Sequence, residues 1–326
     1  MRYTFQHKIA TGRTTFPVAV LISLALWVAT YEDKTELISL LVGSLTTYLL
    51  IELNTTFALI RTRTELPSAL YICLYSASLF LHPYQHSCWI QLAFVGLLFG
   101  LFYSYESKNS SPHIFHAFLC LGISSLFIPD LLWLVPLCYI SMAALRSLSI
   151  RTFFAGVIGY CLPFWFYFGL QLSAEYILPE EFTQYLSGQF TDTFLANLAP
   201  LNITLEGFIA EYRALPLDKG VTYGITLLLA IIGSIFCIYY SQNDKVRTRS
   251  FLNALIPIHI GVTLLVFLHP SLIDAFLPVQ AFYAALTWSY IFALVFNILT
   301  YYFLIGVLLL SGGIGIFNLW IHFFNF

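Results

Sequence analysis

The most constraining feature of this chain is a succession of apolar runs, each near the length of a membrane span and separated from the next by a short polar turn. They fall at 16–30, 37–60, 67–81, 89–103, 114–128, 131–145, 152–172, 221–240, 251–268, 277–296 and 301–321. A hydrocarbon core about 30 Å thick is crossed by about 20 helical residues. Lipid offers no partner to an unpaired backbone amide, so such runs must close their hydrogen bonds within helices. The spacing predicts an all-α, polytopic transmembrane helix bundle of about 11 helices, a single integral-membrane unit over residues 1–326. Composition points the same way, with 59% hydrophobic and 9% charged residues, where a soluble domain carries about 25% charged. With so little charge to face water, the lipid bilayer is the expected solvent. A net charge of −2 offers no basic surface to a nucleic acid.

Arg2, Lys8 and Arg13 precede the first run, as in a secretory signal peptide. No A-x-A site follows, and Trp27 stands at the far end of the run, so it is read as an uncleaved first helix. Arg2, Lys8, Arg13, Arg61, Arg63, Lys108, Arg146, Arg151, Lys245, Arg247 and Arg249 all fall on the side of the amino terminus. Only Lys34, Arg213 and Lys219 fall on the other. The positive-inside rule then places the amino terminus in the cytoplasm. Trp27, Trp89, Trp133 and Trp320 are expected near the outer interface, where indoles anchor helices.

The long outer loop, 173–220, is expected to contain two interfacial amphipathic helices. Pro179, Glu180 and Glu181 make a helix start. Phe182, Tyr185, Leu186, Phe190, Phe194 and Leu198 then recur at helical spacing. Leu205, Phe208, Ile209 and Tyr212 mark a second helix from about Thr204. Their polar faces carry Glu180, Glu181, Asp192, Glu206 and Glu211, which makes the outer surface acidic. Phe80-Leu81-His82-Pro83 recurs as Phe267-Leu268-His269-Pro270, each reading as a helix end stopped by proline. Gly96-x-x-x-Gly100 and Ser311-x-x-x-Gly315 predict close helix approach inside the bundle.

Few residues offer chemistry. The six cysteines form no CxxC pair and read as small buried hydrophobes. No phosphate-binding loop, zinc-protease or serine-hydrolase motif occurs, and no cofactor is implied. An ionisable group at membrane depth is a candidate site, and Glu52, Asn54 and His259 qualify. Glu52 lies nine residues from Arg61 and His259 ten from Arg249, which predicts depths of about 13 and 15 Å from the same face. At matched depth they would form a proton relay or a polar cavity; otherwise each is satisfied separately. Pro257 and Gly261 predict a kink beside His259. Arg61-x-Arg63-x-Glu65 reads as a cytoplasmic basic turn that pins topology. On the outer side Glu32, Asp33, His82, His86, Asp130, His269 and Asp274 lie in short loops without metal-ligand spacing, so they read as a solvated rim and no metal site is assigned.

Leu53-Asn54-Thr55-Thr56-Phe57, followed by 61–71 (RTRTELPSALY), resembles an uncharacterised family of Gram-negative multi-pass inner-membrane proteins. That likeness implies a bacterial inner membrane and carries no activity. The segment 121–129 (LGISSLFIP), followed by Arg151-x4-Gly156-x2-Gly159-x3-Pro163, is similar to the middle helices of GT-C glycosyltransferases. The similarity implies a polyprenyl-phosphate-linked sugar as donor at the outer leaflet, with a catalytic carboxylate in the first outer loop, which Glu32 and Asp33 occupy here. The chain departs from that pattern in the shortness of its first loop and in its acidic outer surface.

Three functions stand at this point. One is a non-catalytic membrane subunit or scaffold, partnered by another membrane protein. The second is a GT-C-like transferase with Asp33 or Glu32 as base. The third is a proton-coupled or lipid transporter using Glu52 and His259.

Overall fold

A computed structural model of the chain describes residues 2–177 and 205–324. Among them are thirteen α-helices and no strand: α1 Arg2–Thr11, α2 Thr15–Ala29, α3 Glu36–Phe57, α4 Leu66–Ala77, α5 Trp89–Tyr103, α6 Ser110–Phe127, α7 Leu134–Ala144, α8 Ile150–Ile177, α9 Leu205–Ala214, α10 Leu217–Ser241, α11 Val246–Leu268, α12 Ile273–Leu294 and α13 Ile298–Phe324. Every apolar run of the sequence appears as a helix. Seven are long and apolar enough to cross a membrane, α3, α5, α8, α10, α11, α12 and α13. α1 and α2 meet at 75° across a short break and make an eighth only if counted as one bent span.

The expectation of about eleven spans is therefore not met by length and composition. α4 has 12 residues and α7 has 11, about 18 and 16 Å at 1.5 Å per residue, short of a 30 Å core. α4 survives at this length because nearly all of its residues are buried among neighbouring helices, where proteins shelter backbone that lipid does not tolerate.

α12 is the axis of the bundle. All of its residues from Ala275 to Ala293 are buried, and α4, α5, α10, α11 and α1 pack around it. Its sequence is apolar on all faces, the pattern of an enclosed helix. Two of its polar groups are tied to a neighbour or to its own backbone: Trp288 Nε1 donates to the Leu229 carbonyl at 2.9 Å, and Thr287 Oγ1 donates to the Tyr283 carbonyl at 2.8 Å. Gly233 of α10 lets the two backbones meet, since a Cβ there would lie 2.5 Å from Thr287 Oγ1. The small-residue motifs act inside the chain in the same way. A Cβ at Gly96 or Gly100 would press on Cys120 or Ala117 of α6. Gly315 of α13 sits beside Ala77 of α4.

The periphery is apolar on its outward side as well. Leu21, Val28, Leu41, Trp165, Ile235, Leu309 and Ile316 are all exposed. Side chains that are apolar both inward and outward fit a bundle whose solvent is lipid.

Contacts between loops sort the molecule into two ends. At the basic end Arg61 pairs with Asp244 and Arg146 with Glu106. Gln6 of α1 also lies there, donating to the carbonyls of Phe292 and Val295 at 3.0 and 2.8 Å, which are orphan acceptors at the end of α12. α1 is an element the hydropathy pattern did not predict. At the acidic end Glu32, Glu36 and Asp218 share a cleft, Lys219 pairs with Asp274, and His269 lies 3.8 Å from Glu211. The first interfacial helix expected in the long loop lies outside the described residues. The second is α9, and it docks on the bundle: Tyr212 Oη donates to the Phe267 carbonyl at 2.9 Å and Phe208 packs on Phe267. Trp89, Trp133 and Trp320 are exposed at this end as expected of anchors, but Trp27 is buried. It corrects the aromatic-belt reading, because its ring is stacked on His82 and its Nε1 donates to Ser76 Oγ at 3.2 Å.

Candidate functional site

The loop between α2 and α3 is closed by its own side chains. Asp33 accepts from the backbone N–H of Lys34 at 2.6 Å and from the Thr35 hydroxyl at 2.8 Å, an aspartate turn of the kind that precedes helices. Glu36 opens α3, where the helix dipole favours an acid. Its Oε1 reaches back to the N–H groups of Glu32 and Asp33 at 3.2 and 3.4 Å. Glu36 is 3% exposed, and among the described residues no donor reaches its Oε2.

This loop forms one wall of a cleft of about 510 Å3 at the acidic end. The rest is built by the turn after α4 (Leu79, Phe80, His82, Pro83), the start of α10 (Asp218) and the last turns of α13 (Asn318, Ile321, His322). Asn318 fixes α13 to its neighbours, its Nδ2 donating to the Ala77 carbonyl at 2.7 Å and to Thr222 Oγ1 at 3.1 Å. His322 Nε2 lies 3.7 Å from Glu32 Oε1. Lys219, next to Asp218, is committed to Asp274 at 2.6 Å and sits over the Phe80 ring.

His82 is the buried corner of the cleft. Its ring stacks on Trp27 with centroids 3.7 Å apart, and burial pushes its pKa down to about 4. The ring is therefore neutral near pH 7. Nε2 faces the Ser76 carbonyl at 3.1 Å and must carry the proton, which leaves Nδ1 to accept from the Thr30 hydroxyl at 2.8 Å. His269, in the second copy of the tetrapeptide, has other surroundings, 3.8 Å from Glu211. The two copies share a helix-ending role and no common site.

Of the carboxylates expected in the first loop, Glu32 lines the cleft, whereas Asp33 is exposed and spent on its own turn. Glu36, His82, Asp218, Asn318 and His322 complete the site. The sequence held only weak signals for them: an acid opening an apolar run, and single polar residues at run ends. Among the described residues no three His, Cys, Asp or Glu side chains come together in a metal-binding group.

The intramembrane pairing of Glu52 with His259 is not formed. α3 ends at Phe57, and Ala58 turns the chain in the left-handed conformation with φ of 50°. Glu52 therefore lies five residues, about 7.5 Å, from the end of its helix, not 13 Å deep. It is exposed, and its Oε1 accepts from the Thr56 hydroxyl at 3.1 Å. His259 is buried near the middle of α11, which runs through Pro257 from Val246 to Leu268. Its Nε2 accepts from the Gln280 amide at 3.0 Å, its Nδ1 is 3.5 Å from Ser234 Oγ, and Tyr283 stacks on the ring.

Asn54 also has a local task. Its Oδ1 accepts from the Ile60 N–H at 3.1 Å and its Nδ2 donates to the Thr64 carbonyl at 3.2 Å, so it organises the turn after α3. Arg61 does more than pin topology: it binds Asp244 at 2.5 Å, a carboxylate only 1% exposed that also accepts from Tyr290 Oη at 2.5 Å. Arg63 is exposed.

No family model matches the chain, and no curated protein or solved structure matches it.

Proposed function

We propose that the protein is a multi-pass protein of a bacterial inner membrane, amino terminus in the cytoplasm, that acts as a non-catalytic membrane subunit presenting a binding cleft at its outer end. The observation that carries this reading is how its polar groups are used. Within the bundle, His259 is held by Gln280, Asn54 and Gln6 hold backbone carbonyls, and Asn318 holds Ala77 and Thr222. At the acidic end Glu32, Glu36 and Asp218 line one cleft together with His82 and His322. A bundle stiffened inside and open at one end suits a subunit that receives a ligand or another membrane protein. The test is cross-linking in intact membranes from a photoreactive residue replacing Leu79 on the cleft wall. A discrete adduct with another membrane protein, together with function retained in Glu32→Gln and Asp33→Asn, supports the reading. Loss of function in Glu32→Gln with no adduct refutes it.

A second reading is the GT-C-like transferase, favoured by Glu32 standing in the cleft 3.7 Å from His322. In it Glu32, not Asp33, is the base that takes a proton from an acceptor hydroxyl. Sugar transfer from a polyprenyl-phosphate donor in reconstituted vesicles, lost in Glu32→Gln and kept in Asp33→Asn, would distinguish it from the subunit reading. The transporter reading is the less favoured one, because Glu52 is held by Thr56 and His259 by Gln280.

A further inference from the structure

We propose that the basic end carries a headgroup site for an anionic phospholipid, at the corner where the turn after α3 meets the start of α11. The inference does not rest on the subunit reading. α10 starts at the cleft, with Asp218, and ends beside this corner, at Ser241.

The first ground is a juxtaposition that only the fold creates. Arg61-x-Arg63-x-Glu65 follows α3, and Lys245-x-Arg247-x-Arg249 opens α11, far along the chain. Two contacts join them. Arg61 binds Asp244, the neighbour of Lys245, at 2.5 Å. Arg247 lies 5.4 Å over the Phe251 ring, and that ring packs 5.6 Å from Phe57, the last residue of α3. The turn after α3 is itself held: Asn54 bonds the Ile60 N–H and the Thr64 carbonyl, and the Thr64 hydroxyl donates to the Ala10 carbonyl of α1. A site fixed before its ligand arrives loses less ordering entropy on binding.

The second ground is charge. Of the carboxylates on these elements, Asp244 is spent on Arg61 and Tyr290, Glu52 accepts from Thr56, and Glu65 is exposed. The first turn of α11 has no acid. Among the described residues no carboxylate pairs with Arg63, Lys245, Arg247 or Arg249. Arg63, Lys245 and Arg247 are exposed, and the Arg61 guanidinium is half exposed despite its bond to Asp244. A guanidinium offers a planar fork to phosphate oxygens, and four to eight cations directly beside a span attract anionic lipid.

The third ground is location. α3, α10 and α11 are long and apolar enough to cross a membrane, and their ends at Phe57, Ser241 and Val246 surround the corner. Headgroups begin where spans end. Val246, between Lys245 and Arg247, is exposed, as is Tyr239 near the end of α10. That surface suits the acyl chains of a lipid whose phosphate the cations hold, and a soluble phosphate gains nothing from it. A zwitterionic headgroup brings its own ammonium to the same cations and gains less. The positive-inside rule asks for cations at this end but not on these two turns, and that difference sets the test.

Delipidated full-length protein in neutral detergent is titrated with phosphatidylglycerol or with phosphatidylcholine of the same acyl chains, and bound lipid is counted by native mass spectrometry. Phosphatidylglycerol should bind more tightly, by a margin that narrows as salt is added. The triple variant Arg63→Gln, Lys245→Gln, Arg247→Gln should weaken its binding about fivefold for each cation removed, whereas Lys108→Gln with Arg151→Gln, exposed cations on other turns of the same end, should leave it within about twofold. Arg61 is kept in every variant, so the bond to Asp244 stays. Far-ultraviolet circular dichroism checks folding; if the triple variant does not fold, Arg63→Gln alone is read by the same criterion. The proposal is overturned if phosphatidylcholine binds equally well, or if the Lys108 and Arg151 pair weakens binding as much as the triple variant, which would mark a diffuse field. It is also overturned if inorganic phosphate displaces the lipid more than chloride does at equal ionic strength, which would mark a site for a soluble anion. The cross-linked partner of the subunit reading is unaffected by these results, so the two stand or fall separately.

Discussion

His82 should make the stability of this protein fall below neutral pH. Its imidazole is 2% exposed, stacked on Trp27 and bonded through both nitrogens, and burial lowers its pKa from 6.5 to about 4. A base whose pKa is lower folded than unfolded binds fewer protons in the folded state, so stability rises with pH between the two values. The contribution is complete above about 6.5 and is lost as pH falls through about 4. At 1.36 kcal/mol per tenfold change in proton affinity, the gap corresponds to about 3 kcal/mol. The assay is unfolding of wild type and His82→Gln in the same detergent micelle from pH 7.5 to 4. Glutamine keeps a donor toward the Ser76 carbonyl but does not titrate. The other histidines are common to both proteins, and of these His322 also acts on His82. Wild type should lose about 3 kcal/mol relative to the variant over that window. Parallel curves would refute the claim that His82 is buried and neutral.

Three further outcomes follow from the same structure. Arg61→Ala strips the partner from a carboxylate that is 1% exposed; because the guanidinium itself is half exposed, the expected loss is about 1–3 kcal/mol. Adding Asp244→Asn should recover most of it in a double-mutant cycle. Gly233→Val drives a side chain into Thr287 on the central helix and should cost about 1–3 kcal/mol, seen as a lower unfolding temperature. Gln280→Ala removes the partner of His259 and should cost about 1–3 kcal/mol, whereas Glu52→Gln, at an exposed position, should stay within about 0.5 kcal/mol. A larger effect at Glu52 than at Gln280 would restore the intramembrane site that the sequence suggested.

The sequence by itself determined the class of fold and the positions of the apolar helices, though not of α1. Those properties are local: an apolar run becomes a helix in lipid because its own backbone supplies every hydrogen bond, and a charged turn stays out of the bilayer wherever its neighbours lie. Even the enclosure of α12 was legible in principle, since it lacks a polar face. Depth, partners and the site were decided only by tertiary structure. Glu52 looked deep because distance to Arg61 was counted along a helix, and the left-handed turn at Ala58 ends that helix early. Asp33 and Glu32 looked equivalent until Asp33 folded onto its own turn. The cleft at the acidic end draws on residues from 30 to 322, and nothing in the spacing of Glu36, His82, Asp218 and His322 announces that they meet. Helices of similar hydropathy can pack in many orders, and side-chain complementarity on α12 selects the order that gathers those groups at one end.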